Sequence, residues 1–130
     1  MARPASKHPT QLELEILKIL WRDGPAAVRH VRQALAPDRK RAHTSVMTVM
    51  NIMVDKGYVT RAKDGGSYVY RPVVSEQTTQ QRMLTDLVDR AFDGSATAAM
   101  LNLLETSDLD GEEIKRLRAL INRKAKERSP

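Results

Sequence analysis

At 130 residues the chain is long enough for one ordinary domain, or for a small domain with an oligomerisation module, and too short for two large cores. It has no cysteine, which excludes a disulfide framework, a thiolate nucleophile and Cys-based zinc or copper sites, and it has no apolar run able to span a bilayer, so it reads as cytoplasmic without membrane insertion. The formal charge of +6 is uneven: residues 1–74 hold 13 Lys or Arg against 6 Asp or Glu, net +7, and residues 75–130 hold 9 against 10, net −1, so the positive charge sits in a head suited to a polyanion.

Residues 1–9 read as a disordered basic tail. Thr10-Gln11-Leu12-Glu13 has the form of a capping box, in which a hydroxyl and a carboxylate satisfy amide donors at a helix start. A first helix follows to about Arg22, with Leu12, Ile16, Ile19 and Leu20 on one side, and Gly24-Pro25 stops it. Val28, Val31 and Leu35 give a second, shorter helix. A basic loop, Arg39-Lys40-Arg41, leads into a third helix from about Thr44 to Lys56, whose inner stripe is Val46, Val49, Met50, Met53 and Val54. Its opposite side carries Thr44, Thr48, Asn51 and Asp55, flanked by Ser45 and Ile52. Tyr58-Val59-Thr60-Arg61 and Tyr68-Val69-Tyr70-Arg71, joined through Gly65-Gly66, read as a β-hairpin with a basic tip. Three helices and this hairpin predict a winged helix-turn-helix over 10–74.

The rest, 75–127, reads as three more helices. Leu84, Leu87, Val88, Ala91 and Phe92 form one stripe, Asp93-Gly94 breaks it, and Ser95 is an N-cap for the next helix, which holds Leu101 and Leu104. Asp110 and Glu113 form a second capping pair, with Leu109 and Ile114 as a hydrophobic staple, and Ile114, Leu117, Leu120 and Ile121 follow as a stripe. These helices have apolar faces but too little sequence to bury them alone, which predicts burial against a second copy of the chain through Leu84, Leu87, Val88, Phe92, Leu101, Leu104, Leu117 and Ile121. The fold class is therefore mainly α, a winged helix followed by a helical dimerisation module.

A recognition helix in the major groove needs small or hydrogen-bonding side chains, and Thr44, Ser45, Thr48 and Asn51 meet that need as base readers. The plainer alternative is a solvated helix face. Lys40, Arg41, Arg61 and Lys63, with His43 at the helix entrance and Ser67 at the hairpin tip, are the expected backbone contacts, which raise affinity without reading sequence. No histidine pair has metal-ligand spacing on a helix, and no cofactor motif, nucleophile elbow, phosphate loop or acid pair appears, so neither metal, cofactor nor enzyme is expected. A winged helix that binds protein instead of DNA is the rival reading.

Leu12-Glu13-Leu14-Glu15-Ile16-Leu17-Lys18-Ile19-Leu20-Trp21, Val28-Arg29-His30-Val31, Thr44-Ser45-Val46-Met47-Thr48-Val49-Met50-Asn51, Lys56-Gly57-Tyr58-Val59 and Tyr68-Val69-Tyr70-Arg71-Pro72 together resemble the penicillinase-repressor family, which includes β-lactamase, methicillin-resistance and copper-responsive repressors. The resemblance covers roughly residues 10 to 125. It implies a homodimer on a palindromic operator in double-stranded DNA, released when the dimer is broken. In the β-lactam-responsive members a protease linked to a membrane sensor cuts an Asn-Phe bond in the tail. The matching positions here are Asn102 and Leu103, with Leu in place of Phe. The cysteine-rich tail of the copper-responsive members has no counterpart, and Ile52 stands where relatives commonly carry a basic residue.

Overall fold

A computed structural model describes residues 8–35, 37 and 42–129; residues 1–7 of the basic tail, together with Arg39, Lys40 and Arg41, lie outside the described residues. The chain forms two compact units, Met1–Leu84 and Thr85–Pro130, divided within the fourth helix.

In the first unit, α1 (Gln11–Asp23) begins with the expected capping box. The Thr10 hydroxyl accepts from the Glu13 amide at 3.2 Å, and the Thr10 amide donates to Glu13 Oε1 at 2.8 Å. Gly24, at φ +87°, ends the helix in a conformation that a side chain would resist. α2 (Val28–Ala34) and α3 (His43–Asp55) complete the helix-turn-helix. β1 (Val59–Asp64) and β2 (Ser67–Pro72) pair antiparallel, with Arg61 opposite Tyr70 and Asp64 opposite Ser67. Gly65, at φ +65°, supplies the left-handed backbone that the two-residue hairpin turn uses. A further pairing ties the wing into the body. Ala26, in the link between α1 and α2, exchanges both backbone hydrogen bonds with Tyr70, at 3.1 and 2.8 Å, an antiparallel bridge of single residues.

The core of this unit gathers Ile16, Leu17 and Leu20 of α1, Val31 of α2, Val46, Met50 and Met53 of α3, and Val59 and Tyr70 of the hairpin. The expected α3 stripe is thus present, with Val49 and Val54 at its half-buried margins. Leu17 joins it from α1, whose buried face is wider than the stripe read from sequence. Two polar contacts fasten the ends. The Trp21 indole N–H donates to the Val74 carbonyl at 2.9 Å, and Lys56 Nζ sits 3.1 and 3.0 Å from the two carboxylate oxygens of buried Glu13.

α4 (Glu76–Ala91), α5 (Ala96–Thr106) and α6 (Gly111–Arg128) follow. The caps predicted from sequence are present: Ser95 Oγ accepts from the Ala98 amide at 3.0 Å, and Asp110 and Glu113 form a capping box. α4 breaks at Asp93-Gly94, both at positive φ. Among the described residues of the second unit only Ala99 is a buried hydrophobic, whereas Leu87, Met100, Leu101, Leu103, Leu104, Ile114, Leu117, Leu120 and Ile121 are exposed by 40–60%. Val88 and Phe92 are half-buried.

Candidate nucleic-acid interface

α3 turns Val46, Met50 and Met53 into the core, and the 100° step then leaves His43, Thr44, Ser45, Met47, Thr48 and Ile52 exposed. Ala42, its N-cap, supplies no side-chain hydrogen bond, so among the described residues no side chain caps the first-turn amides at the positive end of the helix dipole. The Thr48 hydroxyl donates to the Thr44 carbonyl at 2.8 Å. That bond uses its proton and fixes the rotamer, so Thr48 presents an oxygen acceptor and a methyl group outward.

Asn51 is half-buried, unlike its neighbours on this face. Its Oδ1 accepts from Tyr70 Oη at 2.6 Å and from Arg61 Nη1 at 2.7 Å. Tyr70 is the largest fully buried side chain, and a buried phenol without a partner would cost about 1–3 kcal/mol, so this bond anchors Asn51 to the wing. The Arg61 guanidinium also lies 4.5 Å from the centre of the Tyr68 ring, a cation–π contact.

Lys63, Gly65, Gly66 and Ser67 are exposed at the wing tip. Ser67 and His43 share a cleft of about 210 Å³ with Arg29, Met47, Tyr68 and Tyr70, so the start of α2, the start of α3 and the wing tip converge on one hollow. Sequence reasoning missed Arg29, Met47 and Tyr68. Hydrophobic periodicity and charge clustering do not mark them, since Arg29 is one of two arginines spaced along α2 and Tyr68 alternates like any strand residue. Of the expected site residues, Thr44, Ser45, Thr48, His43, Lys63 and Ser67 are exposed, Asn51 and Arg61 are bonded to each other, and Lys40 and Arg41 lie outside the described residues. Asn102 and Leu103 are exposed on α5. At the end of α1, Asp23 accepts from Arg22 at 2.8 Å and from His30 Nε2 at 2.8 Å. The Arg22 hydrogen bond, then the His30 one, holds the Asp23 carboxyl well below the usual carboxylate range.

The sequence profile of the family described as Penicillinase repressor matches residues 9–123. The chain belongs to the penicillinase repressor family. It is 24% identical over 112 residues to the methicillin resistance regulatory protein MecI of Mammaliicoccus sciuri, covering 86% of this chain and 91% of that protein. It is 27% identical over 105 residues to the penicillinase repressor of Bacillus licheniformis, with 81% and 82% covered. With the transcriptional regulator BlaI of Mycobacterium tuberculosis it shares 33% over 101 residues, covering 76% and 73%. As a penicillinase repressor family member the chain is a transcriptional repressor and not an enzyme, and membership implies DNA binding. The six helices and antiparallel hairpin among the described residues agree with a winged helix followed by a C-terminal helical module. No helix among the described residues is long and apolar enough to cross a membrane.

Proposed function

We propose that this penicillinase repressor family member acts in the cytoplasm as a homodimer that occupies a palindromic operator, with one winged helix in each of two successive major grooves about 34 Å apart. The observation that carries this reading is the exposed hydroxyl-bearing face of α3 beside an exposed basic wing tip, on a head of net charge +7. Thr44, Ser45 and Thr48 read base edges, and Lys63, Ser67, His43 and the Lys40-Arg41 loop hold the backbone. The exposed apolar stripes of α4, α5 and α6 are covered by the same stripes of a second copy, since monomeric proteins rarely leave such surface in water.

Separating the copies releases the operator, because one head alone loses the avidity of two. Cleavage at Asn102-Leu103 by a protease linked to a membrane sensor is one such event. Leu103 in place of Phe, and the packing role of Leu101 and Leu104 on the same helix, favour signals that act on the intact tail. The apolar Ile52 and Met47 on the outer face of α3, 43% and 37% exposed, favour a second reading as a protein-binding winged helix. The deciding experiment is binding of the purified protein to its own promoter DNA and to random DNA across a salt series, with stoichiometry. Promoter preference, salt dependence and two chains per site are expected; weak binding indifferent to sequence would favour the protein-binding reading.

A further inference from the structure

An asparagine that reads adenine bidentately needs both halves of its amide, with the oxygen accepting from N6 and the nitrogen donating to N7. In this protein Asn51 has only one half to give. Its Oδ1 takes the Tyr70 hydroxyl at 2.6 Å and Arg61 Nη1 at 2.7 Å, two donors that fill an amide oxygen. Arg61 has no acceptor, so the amide cannot be turned to place Nδ2 against it. Tyr70 is buried at 1% exposure with its backbone bridged to Ala26, so the hydroxyl that engages Asn51 is fixed from the core side. On the other side, the guanidinium is held between Asn51 and the Tyr68 ring. We propose that Asn51, Arg61 and Tyr70 form a latch that sets the wing against the recognition helix, and that Arg61 is a positioning residue and not a phosphate anchor.

This rests on the reading of α3 as the DNA-recognition helix. Two consequences follow for that helix. Asn51 offers only the donors of its Nδ2 amino group, which are satisfied by adenine N7, by guanine N7 or O6, or by thymine O4, so base discrimination falls to Thr44, Ser45 and Thr48. Arg61 contributes to affinity through the geometry of the wing, so its loss leaves the number of neutralised phosphates unchanged.

The test uses the full-length protein and a duplex recovered by repeated selection from random-sequence DNA with the wild type. Arg61→Ala and Asn51→Ala should each weaken binding roughly tenfold, and the double variant should be no more than about twofold weaker than either. The salt slope of Arg61→Ala should equal that of the wild type, and Arg61→Lys should fail to restore affinity, because an ammonium lacks the fork that meets Asn51 while stacked on Tyr68. A slope lower by about one unit, rescue by Arg61→Lys, or losses that multiply would overturn the latch. A wild type that prefers no duplex over random DNA would instead overturn the reading of α3. In that event urea unfolding of the free protein decides the latch alone: coupled midpoint shifts for the two positions support it, and additive shifts overturn it.

Discussion

At the scale of single residues, chemistry on this surface is decided by which hydrogen-bonding atoms the protein has already used. Thr48 has spent its proton on the Thr44 carbonyl and keeps an acceptor and a methyl group for the groove. Thr48→Ala should therefore weaken binding to the preferred duplex by about 1–3 kcal/mol and leave binding to random DNA within about twofold. Lys63→Ala should weaken both and flatten the salt slope by about one unit; equal losses on both DNAs in both variants would refute this division of roles. Glu13 illustrates the same economy inside the head. One carboxylate completes the capping box and meets Lys56 Nζ through both oxygens. Removing it in Glu13→Ala strips a cap and leaves a largely buried ammonium without its carboxylate, a loss of about 3 kcal/mol, visible as a lower urea midpoint with an unchanged slope.

Elements show how far a sequence carries such a reading. Both capping boxes, the Asp93-Gly94 break and the Gly65 turn rest on residues within a few positions of one another, and all were legible in the chain. So was the inner stripe of α3, because helical periodicity is a local property. What escaped are the pairings that only the folded chain creates. Lys56 reaches Glu13 across 43 residues, and Ala26 meets Tyr70 through one residue in a connecting segment, too short to carry any strand pattern. Asn51 was legible as a polar residue on the outer face, but not as one already engaged by Arg61 and Tyr70. The corner between α1 and α2 yields a further expectation. Asp23, held low by Arg22 and His30, favours the folded state when ionised. That contribution is present above the unfolded carboxylate pKa of about 3.9 and is lost as pH falls below it. Asp23→Asn should flatten the decline of the urea midpoint between about pH 5 and pH 2, and an unaltered decline would remove Asp23 from the account.

For the whole molecule, the contrast between units matters most. The head has a continuous core, whereas the described second unit buries Ala99 alone among its hydrophobics. A homodimer built on its stripes should show a melting temperature that rises with protein concentration. Leu101→Asp with Leu117→Asp should give monomers by sedimentation equilibrium and lower operator affinity about a hundredfold or more, while the head's near-ultraviolet dichroism stays as it was. Association that survives both substitutions would place the interface elsewhere.

The bridge between Ala26 and Tyr70 also sets a clock. Its amides belong to the link between α1 and α2 and to a buried tyrosine of the wing, so their protons should exchange with deuterium only when the head opens as a whole. Amides at Gly65 and Gly66, a few residues away on an exposed turn, should exchange far sooner. The wing is thus slow at its base and fast at its tip, and an encounter with DNA meets a tip that adjusts on a base that does not.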